Sequence, residues 1–107
     1  MKVKIKVEAN ALGITQGSLY LVVGIDDLYY RIVNDNKEPI LYEKELFDVI
    51  DALVPKNWVR QDYSDGEFYL HPPEFSEVGF FEDFFDGNQS AVFAYRNYLS
   101  KNGVSNL

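Results

Sequence analysis

The chain contains no cysteine and a single histidine among its 107 residues. The absence of thiols excludes disulfide bonds, a cysteine nucleophile and a cysteine-ligated zinc site. His71 cannot form a histidine cluster, and a lone histidine is more often structural than a general base. The sequence therefore predicts no catalytic residue, no metal and no cofactor, and we expect a protein that is not an enzyme.

Basic residues are also scarce, because 10 Lys and Arg stand against 17 Asp and Glu, a net charge of −7. Such a charge repels the phosphate backbone of nucleic acids. No apolar run approaches the roughly 20 residues that span a bilayer, and the N-terminal residues alternate charged and apolar where a signal peptide has an unbroken apolar run. We therefore expect a cytoplasmic protein that binds neither nucleic acid nor membranes.

Adjacent carboxylates occur at Asp26–Asp27 and at Glu82–Asp83. Paired acids can bind a divalent cation or exchange protons, but neither pair has the alternating oxygen ligands of a calcium loop. Adjacent acids are common in turns, and we interpret both pairs as turn or surface residues.

The first half of the chain consists of strand-length apolar runs separated by turn residues. Residues 2–8 alternate strictly, which predicts a strand with Lys2, Lys4 and Lys6 toward solvent and Val3, Ile5 and Val7 in the core. Residues 17–49 predict an antiparallel meander, in which Gly24 marks a bulge or a close backbone approach. Its strands are expected at 19–25, 29–33, 40–42 and 47–50. A single helical turn is expected over 43–46, and a helix over 43–53 is the alternative.

In the second half, Asp65-Gly66 separates two β-prone runs, 57–63 and 67–71, and predicts a hairpin with Trp58 and Phe68 in the core. The acids and aromatics of the following segment have no clear period. It is expected to be an ordered segment held in place by phenylalanines, with a helical turn over 82–85. The five phenylalanines are Phe75, Phe80, Phe81, Phe84 and Phe85.

The last element is predicted to be an amphipathic helix that begins at Asn88 or Ser90. Its apolar positions recur at helical spacing. These positions are Ala91, Tyr95, Tyr98 and Leu99. Lys101 and Gly103 suit the end of the helix, and residues 104–107 are expected to be frayed.

Together these elements predict a mainly β (α+β) fold over a single domain, residues 1–107. Residues 1–54 are expected to form a small antiparallel barrel. Residues 55–103 add the hairpin, the acidic aromatic segment and the C-terminal helix.

The most unusual charge feature lies between Arg60 and Arg96, where eight acids occur without a Lys or Arg. Acids interleaved with aromatics suit a protein-binding surface, because apolar anchors within a charged rim give both affinity and rapid association. We therefore predict a basic protein partner. The predicted partner-binding residues are Asp62, Asp65, Glu67, Glu74, Glu77, Glu82, Asp83 and Asp86.

Several motifs resemble small bacterial proteins with an SH3-like barrel. They are Gly17-x-x-Tyr20-x-Val22, YYRIVNDN at 29–36, ILY at 40–42, ELFDVID at 45–51, Trp58-Val59 and GFFEDFFDGN at 79–88. Such proteins often look like immunity partners of contact-dependent or polymorphic toxins, and others are prophage-encoded. The resemblance implies a protein that neutralises a toxin, plausibly a nuclease, by occlusion and without chemistry of its own.

A different class of function is the alternative, an SH3-like module that recognises a peptide or small ligand. Its groove would be formed by solvent-facing tyrosines such as Tyr29, Tyr30 and Tyr42. If those rings are packed in the core, no such groove exists.

Overall fold

The computed structural model describes residues 1–104 and divides the chain into two compact units. The first unit comprises Met1–His71 and contains the strands, and the second begins at Pro72 and contains the helices. Within the described residues the strands are β1 (Lys2–Ile5), β2 (Tyr20–Asp26), β3 (Tyr29–Val33), β4 (Pro39–Glu43), β5 (Phe47–Asp51), β6 (Val59–Asp62) and β7 (Phe68–His71).

The first unit is an antiparallel sheet in the order β4-β3-β2-β1-β5, with β7 also paired to β2 and β6 paired to β7. Mainly β structure with a helical C-terminal part was predicted and is confirmed. The sheet does not close into a barrel, which corrects the expected barrel over residues 1–54. β4 and β5 end the path and do not pair with each other, so the hydrogen-bonded ring remains open.

The meander from β2 to β5 follows the predicted boundaries within about one residue. Gly24 lies at a register shift between β2 and β3, as the bulge prediction required. A Cβ at Gly24 would lie 3.1 Å from the Arg31 Cβ, so the strands approach too closely there for a larger residue to fit without movement. A 3-10 turn over Lys44–Leu46 joins β4 to β5, which confirms the single turn and excludes the longer helix.

β1 is shorter than predicted. Val3 and Ile5 are fully or almost fully buried, but Val7 is 90% exposed because the strand ends at Ile5. The chain then enters a loop whose backbone is held by side chains. The Gln16 Nε2 donates to the carbonyls of Lys6 and Ala9 at 3.1 and 2.7 Å. These bonds turn Val7 away from the sheet, so the alternation in sequence overestimates the strand.

The core of the first unit consists of apolar and aromatic side chains from β1 to β5. Each such side chain contributes roughly 1.5–3 kcal/mol on burial. The cluster is Val3, Ile5, Tyr20, Val22, Tyr30, Ile32, Tyr42 and Phe47.

Two core tyrosines bind the long β1–β2 loop through their hydroxyls. Tyr20 Oη donates to Asp35 Oδ1 at 2.5 Å and accepts from the Thr15 N–H at 2.7 Å. Tyr42 Oη donates to the Leu12 carbonyl at 2.6 Å. The loop is thus fixed to the β3–β4 turn as well as to its own strands.

The hairpin of β6 and β7 forms as predicted, and Gly66 adopts a φ of 87° in its turn. Trp58 is buried, but Phe68 is only half-buried. Phe68 therefore does not belong to the core, which corrects one of the two predicted anchors.

The second unit is organised around Phe75. Its ring stacks on Phe80 with centroids 4.9 Å apart and meets Tyr98 edge-on at the same distance. A helix α1 spans Phe80–Phe85, longer than the predicted turn. Of the five predicted phenylalanines, Phe85 is 49% exposed and does not hold the segment in place.

The helix α2 spans Gln89–Lys101 and begins at Asn88, whose Oδ1 accepts from the Ala91 N–H at 3.1 Å. The predicted apolar stripe is confirmed, since all four of its residues are buried. At the end, Gly103 has a φ of 77° and the Val104 N–H donates to the Leu99 carbonyl at 2.9 Å. This is a Schellman-type end. Val104 is therefore bonded rather than frayed, and residues 105–107 lie outside the described residues.

Replacing Tyr95 with alanine should destabilise the second unit. The Tyr95 side chain is 1% exposed and contacts Phe84 at 4.7 Å between ring centroids. A cavity left by a large aromatic costs about 3 kcal/mol or more of unfolding free energy. Urea denaturation followed by far-UV circular dichroism measures the loss.

Phe93→Ala on the same helix is the matched control, because Phe93 is 72% exposed. It should change the free energy of unfolding by no more than about 0.5 kcal/mol. Equal losses for the two variants would contradict the assigned core of the second unit.

Candidate partner-binding surface

The β2–β3 turn presents a fixed carboxylate. Asp26 Oδ1 accepts from the backbone N–H groups of Leu28 and Tyr29 at 2.9 and 2.6 Å, which closes the two-residue turn. Asp27 and Leu28 at the tip are both exposed. The turn therefore places acidic and apolar groups side by side at the end of the sheet.

The β6–β7 hairpin presents a second acidic tip. Asp65 Oδ1 accepts from the Glu67 N–H at 3.1 Å, and Gly66 donates to the Tyr63 carbonyl at 3.1 Å. Tyr63 and Tyr69 flank this turn and contact edge-to-face, with centroids 5.6 Å apart. The side chain of Glu67 is left exposed beside two aromatic rings.

Antiparallel pairing of β7 with β2 brings these two turns together. Asp26 lies opposite Tyr69, and Asp27 Oδ1 accepts from the Phe68 N–H at 3.3 Å. A shallow cleft of about 150 Å³ results. Its lining combines three acids with four apolar or aromatic residues: Asp26, Asp27, Leu28, Tyr29, Glu67, Phe68 and Tyr69.

The charges of the cleft act on the tyrosine within it. Partial burial raises the pKa of Tyr69, and the carboxylates of Asp26 and Glu67 raise it further. The hydroxyl therefore stays neutral and can donate a hydrogen bond. Exposed acids and a neutral donor beside apolar rings suit a cationic group carried on an apolar stem, such as Lys or Arg.

Two cations border this surface on one side. The Arg60 guanidinium lies 4.3 Å from the Phe68 ring centroid and also forms an ion pair with Asp62 at 3.0 Å. Lys44 Nζ lies 5.7 Å from the same ring. Phe68 is thus covered by positive charge, and the negative part of the cleft is confined to the two turn tips.

All eight of the predicted partner-binding acids are exposed. Asp62, Asp65 and Glu67 belong to the first unit, whereas Glu74, Glu77, Glu82, Asp83 and Asp86 belong to the second. Among the residues of the described chain, Asp62 alone of the eight forms an ion pair. The remaining seven form no ion pair with a residue of 1–104, and Asp65 uses one carboxylate oxygen to accept from the Glu67 N–H.

Asp26 and Asp27 are missing from the predicted site, because adjacent acids in a turn have a sufficient structural explanation. Their position beside Glu67 depends on the pairing of β2 with β7, which are distant in sequence. The only local sequence signal for this cleft is that each of the two acidic turns directly follows a strand. Over residues 1–104, no group of three or more His, Asp or Glu side chains is placed to hold a metal ion.

Acids of the second unit also lie close in sequence to exposed apolar side chains. Glu82 and Asp83 lie in the first turn of α1, where carboxylates stabilise the helix. Asp86 follows Phe85, which is half-exposed and contacts Phe84 edge-to-face with centroids 5.1 Å apart. This second group combines charge with an accessible ring, as the first one does.

The tyrosines of the alternative groove do not share one surface. Tyr30 and Tyr42 are buried in the core cluster, and Tyr42 also accepts from Asn34 Nδ2 at 3.3 Å. Tyr29 is 37% exposed and lines the acidic cleft instead. A groove built from all three rings is therefore not formed.

His71 lies at the end of β7 and is buried, and its Nε2 atom has no hydrogen-bond partner among residues 1–104. Burial lowers the pKa of its imidazole, and the positive charge of Arg31 lowers it further. His71 does not line the cleft. The structure thus places it in the interior as a neutral side chain.

Comparison of the chain with protein-family models, with curated proteins and with solved structures found no match. Within residues 1–104, neither helix has the length and apolar character needed to cross a membrane.

The free energy of unfolding should fall as the pH drops below about 6.5, through His71. The folded pKa is depressed, so between the two pKa values the unfolded state binds a proton that the folded state does not. The loss stops once the pH is below the folded pKa. Urea denaturation at steps from about pH 7.5 to about pH 5 measures this slope.

His71→Leu retains every carboxylate and removes the imidazole, so it provides the control for the pH series. Its stability should vary less over the same range. If the two proteins show the same slope, His71 does not carry the pH dependence.

Proposed function

We propose that this protein is a non-enzymatic binding protein that recognises a basic protein partner through acidic surfaces containing exposed apolar side chains. The observation that carries the proposal is the cleft between the β2–β3 turn and the β6–β7 hairpin. There Asp26, Asp27 and Glu67 surround exposed Leu28 and Tyr69. Charge that steers a partner is thus combined with apolar contacts that retain it.

The identity of the partner as a bacterial toxin is part of the proposal and comes from the resemblance to immunity proteins. A small, strongly acidic chain is suited to cover the positive groove of a nuclease, because occlusion needs complementarity and no catalytic group. The exposed acids of the second unit, with Phe85 beside Asp86, offer a second surface of the same chemical character.

The SH3-like assignment of the first unit belongs to the same proposal. The strand order β4-β3-β2-β1-β5, the long loop after β1 and the 3-10 turn between β4 and β5 support it. A fold of this kind serves many functions, so the assignment does not select a partner. The absence of cysteine is consistent with the cytoplasm as the place of action.

Glu67→Lys should slow association with the partner by about tenfold at low salt, and the difference should shrink as salt is added. The Glu67 side chain is exposed and makes no hydrogen bond to any residue of 1–104, so its reversal spares the fold. The partner is captured from a lysate of the source cells and purified. Stopped-flow fluorescence of Trp58, or of a dye on the partner, then gives the association rate.

Glu8→Lys provides the matched control, because it changes the net charge by the same amount as Glu67→Lys. Glu8 is exposed and does not line the cleft. The triple reversal of Glu82, Asp83 and Asp86 to Lys tests the second unit in the same assay. Association of both acidic-surface variants at the rate of Glu8→Lys would overturn the proposed surface. A partner that is harmless when expressed alone would overturn the immunity role.

A further inference from the structure

Strand β5 is an open edge of the sheet. It pairs with β1 on one side, and no strand among residues 1–104 pairs with its other side. After Phe47, every residue of the strand is exposed. The strand presents Val49 and Ile50, which are 44% and 54% exposed, between Asp48 and Asp51.

The backbone pattern shows which groups the edge offers. The Lys6 N–H donates to the Leu46 carbonyl at 2.9 Å, and Lys4 lies opposite Asp48 in the same register. In an antiparallel ladder, hydrogen-bonded pairs alternate with pairs whose backbone groups point away. Over the regular part of the ladder, which ends where the register shifts between Val3 and Lys2, Asp48 therefore bonds toward β1 and the N–H and C=O of Val49 face the open side.

Natural edge strands are usually blunted by short length, charged side chains, Pro, a β-bulge or a covering segment. β5 has no Pro, and its exposed acids disfavour a strand of like charge. Its register with β1 shifts between Lys2 and Val3, so the regular part of the edge is Phe47–Val49. An exposed edge with unpaired N–H and C=O groups is the structure to which proteins add a strand from a partner.

The existing neighbour of β5 indicates the chemistry of such a strand. β1 reads KVKI and places Lys4 opposite Asp48 and Lys2 opposite Asp51. Cross-strand pairs of opposite charge stabilise a sheet, and like charges directly opposite destabilise it. The acids of β5 thus match a strand in which basic and apolar residues alternate.

A second copy of β5 matches the edge poorly. Antiparallel self-pairing centred between Val49 and Ile50 would set Asp48 of each copy opposite Asp51 of the other. β1 of a second copy cannot serve either, because it already pairs with β2 and β5.

We propose that β5 binds an extended segment of a partner protein, in which Lys or Arg alternates with Val, Ile or another apolar residue, as an added antiparallel strand. This surface is distinct from the acidic cleft and does not depend on the function proposed for it. Main-chain bonds to Val49 supply affinity, and Asp48 and Asp51 select the charge pattern.

The probe is a capped, dye-labelled peptide of sequence Lys-Val-Lys-Ile-Lys-Val, with a peptide of the same residues in block order as the control. Fluorescence anisotropy gives the affinity of the whole chain for each, and amide hydrogen exchange by NMR locates the contact. We expect the alternating peptide to bind at least about tenfold more tightly. It should slow exchange of the Val49 amide, which faces solvent in the free protein.

Val49→Pro removes the outward N–H without removing a bond to β1, and it should weaken binding of the alternating peptide by about tenfold. Protection of the Lys4 and Lys6 amides, which bond toward β5 and the Leu46 carbonyl before it, checks that the sheet is intact. Should the proline variant not fold, Asp48→Asn with Asp51→Asn keeps the shape of both side chains and should reduce affinity and its salt dependence.

Three results would overturn the proposal. The first is equal affinity for the alternating and block peptides. The second is protection that falls at Asp26–Tyr29 and Glu67–Tyr69 instead of at β5, which would assign the peptide to the cleft. The third is protection of Val49 without peptide that grows with protein concentration, together with a dimer in sedimentation, which would show that a second copy occupies the edge.

Discussion

Pairing of β2 with three other strands is the interaction on which the first unit depends. β1 and β7 share one side of β2, and β3 occupies the other. One strand can serve so many partners because β1 pairs with its first residues, Tyr20 and Leu21, and β7 with its last, Ile25 and Asp26. The register with β3 shifts between Val22 and Gly24, and a Cβ at Gly24 would lie 3.1 Å from the Arg31 Cβ. The acidic cleft is therefore a product of strand pairing, although its residues are all turn or strand-end residues.

Elements with a local signal could be predicted from the sequence, because the chemistry that forms them lies within a few residues. Asn88 caps α2, Gly66 closes the hairpin turn, and the apolar stripe of α2 marks its buried side. Features that depend on distant partners could not. Val7 fits the alternation of β1 but is turned out by the bonds of Gln16, and the barrel was expected because nothing in the sequence shows which strand edges stay unpaired.

The same distinction separates the predicted acids from those that were missed. The long acidic segment predicts Glu67 as a partner-binding residue, whereas the sequence indicates ordinary turn residues at Asp26 and Asp27. In the structure Asp26 is both a turn residue and a cleft residue. One of its carboxylate oxygens closes the β2–β3 turn, and the residue also lines the acidic cleft. The density of acids along the chain predicts an acidic surface. It does not predict which acids lie side by side on that surface, because their proximity depends on the pairing of β7 with β2.

The pairing of β1 with β5 also governs how the first unit is made. β1 leaves the ribosome before β2, and its second neighbour, β5, is synthesised only after the strands β2 to β4. Contacts between segments so far apart in sequence carry a large entropy of loop closure and slow the folding of β proteins. During that interval β1 is a basic strand with one unpaired side. Completion of β5 covers that side and leaves the exposed edge on an acidic strand instead.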